Sequence, residues 1–157
     1  MGIFGTKNIF PCNNCPDGQL TPEQIDALPI SKTITIPSAD VLTAYANPVV
    51  LIPSSEAGVG KAIEVLSCVC KIDWNSVAYD KTFAIASDSS APTSYLFQFS
   101  SLHTATTNAI GAGIPAGSPA VGNMFENDAI VFQTLISNPT TGNSDITIYI
   151  TYRIITL

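Results

Sequence analysis

The sequence predicts an all-β protein: an antiparallel β-sandwich of jelly-roll kind, with an extended N-terminal arm and one short helix. Three observations predict it. Beyond residue 31 the apolar residues recur with the two-residue period of strands, most plainly in Lys32-Thr33-Ile34-Thr35-Ile36 and Ile146-Thr147-Ile148-Tyr149-Ile150. About seven or eight such runs are separated by clusters of Pro, Gly, Asn and Ser, with very little helical periodicity. The chain has 157 residues, enough to bury one continuous core and too few for two. The expected division is an anchoring arm with a short helix over residues 1–30 and a β-sandwich over residues 31–157.

Residues 1–20 mix Gly2, Gly5, Pro11, Pro16 and Gly18 with Asn8, Asn13 and Asn14, a composition of irregular chain. Within this arm Ile3, Phe4, Ile9 and Phe10 are the candidate residues for docking on a partner. The match of Gly2 and Thr6 to a myristoylation pattern is short enough to arise by chance. Thr21-Pro22-Glu23-Gln24 reads as a helix start, with Thr21 as cap, Pro22 at the first helical position and Gln24 closing the capping box. Pro29 ends that helix, the strand at residues 32–36 follows, and Ser38-Ala39-Asp40 caps one further helical turn.

Val49-Val50-Leu51-Ile52 and the long run from Lys61 to Trp74 read as a hairpin joined through Gly58-Val59-Gly60. Strict alternation along the long run sets Ile63, Val65 and Val69 on one face and Leu66, Cys68, Cys70, Ile72 and Trp74 on the other. Both faces are then apolar, so one is expected to meet another subunit. Phe83 to Ala86 and Tyr95 to Phe99 are shorter strands. Residues 104–123, carrying Gly111, Gly113, Pro115, Gly117, Pro119 and Gly122, read as one long loop, a candidate contact surface with Ile110 and Ile114 as its apolar residues. Ala129 to Ile136 and Ile146 to Ile155 form a second expected hairpin. Its last strand turns Ile146, Ile148, Ile150, Tyr152 and Ile154 to the core.

Charged residues make up 11% of the chain, against about 25% in an average soluble domain, and mean hydropathy is +0.31. Much of the exterior is therefore uncharged, and contacts between subunits are the simplest way to cover it. The net charge is −6, and the six cations, Lys7, Lys32, Lys61, Lys71, Lys81 and Arg153, form no run. Nucleic acid and anionic membranes are disfavoured as partners, since both need clustered Lys and Arg. No apolar run reaches the length of a membrane-spanning helix, and no secretory signal is visible.

No catalytic, cofactor or metal site emerges. Gly58-Val59-Gly60-Lys61 has Ser55 where a phosphate loop needs its first glycine and Ala62 where it needs Ser or Thr, so it reads as a turn. Cys12-Asn13-Asn14-Cys15 has the spacing of a zinc knuckle, but Cys68 and Cys70 sit in a strand among Leu66, Ile72 and Trp74. Zinc and a Cys12–Cys15 disulfide are weaker readings than free thiols, with Cys68 and Cys70 as small core residues. His103 has no sequence-near His or carboxylate, and no nucleophile elbow or paired-carboxylate motif appears. Asp73, Asp80, Asp88, Glu126, Asp128 and Asp145 fall near strand ends and read as solvated turn residues.

Asn47-Pro48-Val49-Val50-Leu51-Ile52-Pro53, Gly58 to Leu66, Ala78-Tyr79, Asn138-Pro139-Thr140-Thr141-Gly142 and Ile148 to Arg153 together resemble small β-sandwich virion proteins of tailed bacteriophages. The resemblance spans residues 32–157. It implies a non-enzymatic homo-oligomer, often a trimer, assembled in the host cytoplasm into the virion. There it would be a capsid decoration or head fibre, or stand in the tail, beside the major capsid or a tail protein. It carries over no active-site residue, and the Cys-containing arm departs from it. The competing reading is a tail-associated receptor or glycan-binding module using Trp74, Tyr79, Tyr95 and the 104–123 segment. A hydrolase around His103 is a third, lacking its nucleophile and carboxylate.

Overall fold

The computed structural model describes residues 20, 24, 28–91, 94–116 and 125–157. The Cys12–Cys15 spacing, the Gly2 pattern and most of the helix expected from Thr21 lie outside them; Gln24 is helical. One sheet has the order β1-β9-β3-β6, from β1 (Ile30–Ile36), β3 (Lys61–Asp73), β6 (Ala109–Ala112) and β9 (Asp145–Thr156). The other has the order β2-β8-β4-β5-β7, from β2 (Val49–Ile52), β4 (Phe83–Ser87), β5 (Phe97–Phe99), β7 (Ile114–Pro115) and β8 (Ile130–Thr134). One helical turn, α1 (Ser38–Val41), joins the first two strands.

Strand pairing is nested: β1 with β9, β2 with β8, β3 with β6 and β4 with β5, all antiparallel. The chain behaves as one long hairpin rolled so that alternate pairs land on opposite sheets. This is a jelly roll, the expected fold class.

The nesting corrects two expected hairpins. β2 pairs with β8 in one sheet while β3 pairs with β9 and β6 in the other, so the Gly58–Gly60 turn carries the chain between sheets. Gly58 and Gly60 supply the positive φ angles it needs, +81° and +75°. Likewise β8 and β9 lie in different sheets. A third correction concerns residues 104–123, where β6 and β7 interrupt the expected loop; residues 117–124 lie outside the described chain.

The core follows from period two with one phase change. Along β9, Ile146, Ile148, Ile150 and Tyr152 are buried, as alternation predicts. In β3 the register with β9 shifts between Val65 and Ser67. Leu66 is the extra residue of this bulge, so Ile63 and Val65 share the inner face with Cys68, Cys70 and Ile72, while Val69 turns outward. The second sheet supplies aromatics: Phe83, Phe97, Phe99 and Phe132 are buried, with the Phe83 and Phe132 rings 5.6 Å apart.

β4 and β8 are buried on both faces. On their outer side stand Ala84, Ala86, Val131 and Gln133, and Gln133 donates its Nε2–H to the Ser94 carbonyl at 2.9 Å. The chain between β4 and β5 thus lies over this face, and small alanines leave it room.

Candidate interaction surfaces

Side chains at the two ends of the sandwich are committed to holding loops together. At one end, Tyr45 and Ala46 donate N–H groups to Asn138 Oδ1, and Ser76 and Val77 donate to Asn143 Oδ1. Asp80 accepts from the Thr140 hydroxyl and N–H at 2.8 and 2.9 Å, bonds that with Lys81 hold its carboxyl well below the usual range. At the other end Glu126 accepts the Gly60 N–H, and Asp128 accepts from Ser87 Oγ and the Ser89 N–H. Several acids read as solvated turn residues are therefore loop ties. Ile30 pairs with Tyr152 and Leu157 donates to the Gly60 carbonyl, so the start of β1 and the C-terminal residue both lie at this second end.

Lys32, Glu56 and Tyr152 tie β1 to the turn after β2. Lys32 Nζ and the Tyr152 hydroxyl both bond the Glu56 carboxylate, and Nζ lies 6.0 Å from the Tyr152 ring centre. Burial pushes the Glu56 carboxyl up, but the bonds from Lys32 and Tyr152 and the lysine charge outweigh it, and its pKa is lowered.

Chemistry-bearing residues sit in structural places. Cys68 and Cys70 are buried free thiols; burial pushes Cys68 up to about 12 and Cys70 higher still. Neither is thiolate at neutral pH. His103 packs its ring edge-on to Phe83, and its carbonyl accepts the Tyr79 N–H at 3.0 Å. Burial lowers its pKa against the opposing pull of Asp80. Tyr79, expected to offer an aromatic face to a glycan, is instead 2% exposed and donates its hydroxyl to the Ser144 carbonyl. Among the described residues no group of three His, Cys, Asp or Glu is placed to hold a metal, and no helix is long and apolar enough to cross a membrane.

The side of the sandwich formed by β6 and β7 is different. Here the chain passes from one sheet to the other through Gly113, whose N–H bonds the Cys68 carbonyl at 2.8 Å. Ile110 is 68% exposed and Ile114 is 56% exposed, with Ala112 and Pro115 exposed beside them. Register with Lys71 and Gln98 turns Ile110 outward from the first sheet and Ile114 outward from the second. They stand on opposite outer faces of this side instead of forming a single patch. A shallow hollow of about 230 Å³ adjoins Ile110, lined also by Lys71, Asn108 and Ala109. Ile110 further continues an outer face carrying Val69, Ala112 and the 41%-exposed Tyr149. On that face Glu64 pairs with Arg153 and Lys71 with Asp73, while Asp145, opposite Asp73, accepts the Ser38 N–H. The other predicted docking residues, Ile3, Phe4, Ile9 and Phe10, lie outside the described residues.

No protein-family model matches the chain, and no curated protein does. Among solved structures, the chain is similar to one titled "Cyanophage Pam1 capsid asymmetric unit". The two share 14% identity over 92% of this chain and 99% of that one, with a TM-score of 0.47.

Proposed function

We propose that this protein is a non-enzymatic structural subunit of a bacteriophage virion, a homo-oligomeric capsid decoration or head fibre anchored by residues 1–30. The observation that carries the reading is the β6–β7 side, where Ile110 and Ile114 stand exposed in a chain with only 11% charged residues. Apolar side chains standing out on both outer faces of one side suit contact with another copy. The jelly roll supports the reading by analogy, since the architecture recurs in capsid and lectin domains. The resemblance of residues 32–157 to tailed-phage virion proteins favours a trimer, with the major capsid or a tail protein beside it.

The anchoring role rests on the composition of residues 1–20, irregular chain carrying Ile3, Phe4, Ile9 and Phe10. Ile30, the first residue of β1, lies at the end of the sandwich where Leu157 also lies. The 20 residues of irregular chain, 1–20, would reach at most about 70 Å if fully extended, enough to cross onto a neighbouring protein. The test is deletion of residues 2–20. The shortened protein is expected to fold and oligomerise but to be absent from particles; normal incorporation contradicts the anchoring role. Burial of Tyr79 weakens the glycan-binding alternative, and saturable binding on a glycan array is the outcome that would restore it.

A further inference from the structure

We propose that β1 is a pairing edge, along which two copies of this chain join antiparallel about a two-fold axis at Thr33. The inference stands on the geometry of one protomer and is independent of the virion assignment. In an antiparallel sheet, successive residues turn their N–H and C=O groups to opposite edges. Leu157 donates its N–H to the Gly60 carbonyl, so the odd-numbered residues of β9 address β3 and the even-numbered ones address β1. Their partners Ile30, Lys32, Ile34 and Ile36 therefore bond β9. Ser31, Thr33 and Thr35 present their backbone groups to the open edge. All three residues are exposed, and no described strand pairs with them there.

Open edges are ordinarily shielded by proline, a bulge or an outward charge. Between Ile30 and Ile36 β1 has none of these; Pro29 and Pro37 stand just outside it and limit the open stretch to those seven residues. Its seven residues run in unbroken register with β9, and its one charge, Lys32, turns inward onto Glu56. The other three edges are poorer templates. β2 is irregular between Val50 and Ile52, β6 is four residues long with a glycine, and β7 is two residues long with a proline.

The strand that fits β1 is another β1. A register centred on Thr33 sets Ser31 opposite Thr35 and Lys32 opposite Ile34, so no like charges meet. About six backbone hydrogen bonds form, two for each facing pair that turns its groups to the seam. The hydroxyls extend a ladder already present, in which Ser31 and Thr151 lie 3.1 Å apart and Thr35 and Thr147 lie 3.4 Å apart. β1 and β6 are opposite edges of their sheet, so this contact can join clusters built through the β6–β7 side.

The test compares the full chain with Thr33→Lys, which sets two ammonium groups together at the axis, and Thr33→Pro, which removes an edge donor that no described strand accepts from. Native mass is read alongside amide exchange of Ser31, Thr33 and Thr35. The expected result is an even-numbered assembly whose mass halves in both variants, with edge amides protected in the wild type in a concentration-dependent way. Equal masses in all three proteins overturn the proposal. So do edge amides that exchange freely at every concentration, a readout on the wild type that stands even if a variant fails to fold. Protection that vanishes on deleting residues 2–20 without a change in subunit number assigns the edge to the arm and also overturns it.

Discussion

The amide of Gly113 is bonded to the carbonyl of Cys68 at 2.8 Å, and a Cβ on Gly113 would overlap the Cys68 sulfur and press on Phe97. This contact lets the chain turn from β6 to β7 and close one side of the sandwich. Gly113→Ala is expected to cost about 1 to 3 kcal/mol, as overpacking does elsewhere. Urea unfolding measures it; a loss under 0.5 kcal/mol, on the order of a neutral surface change, contradicts the tight crossing.

Tyr79 fills the core with its ring and ties the β8–β9 loop through its hydroxyl, which is pushed up to about 12 mainly by burial. Tyr79→Phe keeps the ring and leaves the Ser144 carbonyl short of a donor. The expected loss is about 1 to 2 kcal/mol by chemical denaturation. No loss would mean that the bond is replaced by water.

Stability is expected to fall in acid in part through Glu56. Its folded pKa lies below the ordinary value of 4.5, so its contribution is present above that value and is lost as pH falls through the folded pKa. Glu56→Gln should cost about 1 kcal/mol near neutral pH and flatten the acid limb of the melting curve below about pH 4.5. Parallel acid limbs in the two proteins would remove Glu56 from the account.

Cys68 and Cys70 should resist thiol reagents in the native protein, because burial both shields them and suppresses their thiolates. Peptide mapping after brief alkylation reads this directly. Modification of both at the rate of an unfolded control contradicts their place in the core.

The legible part of the fold was the part that local alternation controls. Strand β9 announces its core face because nothing interrupts Ile146, Ile148, Ile150 and Tyr152. Strand β3 misleads beyond Val65, since one extra residue at Leu66 reverses the phase and no residue type marks it. β6 and β7 are hidden for another reason. Ala109-Ile110-Gly111-Ala112-Gly113-Ile114-Pro115 has poor strand propensity, and its pairing comes from the edges of β3 and β5. A turn-rich connection looks the same whether it closes a hairpin or crosses between sheets, so nothing local marks the β2–β3 and β8–β9 links as crossings. Ile110 and Ile114 could be singled out as apolar residues in a Gly-rich stretch; their positions on opposite outer faces required the sheets.

The most direct test of an assembling role is sedimentation of the full chain from low to high concentration, beside the double variant Ile110→Asp, Ile114→Asp. Both side chains are solvent-exposed, so the variant should melt within a few degrees of the wild type. The wild type is expected to sediment as a defined oligomer and the variant as a smaller species. A wild type that stays monomeric throughout, indistinguishable from the variant, contradicts the account.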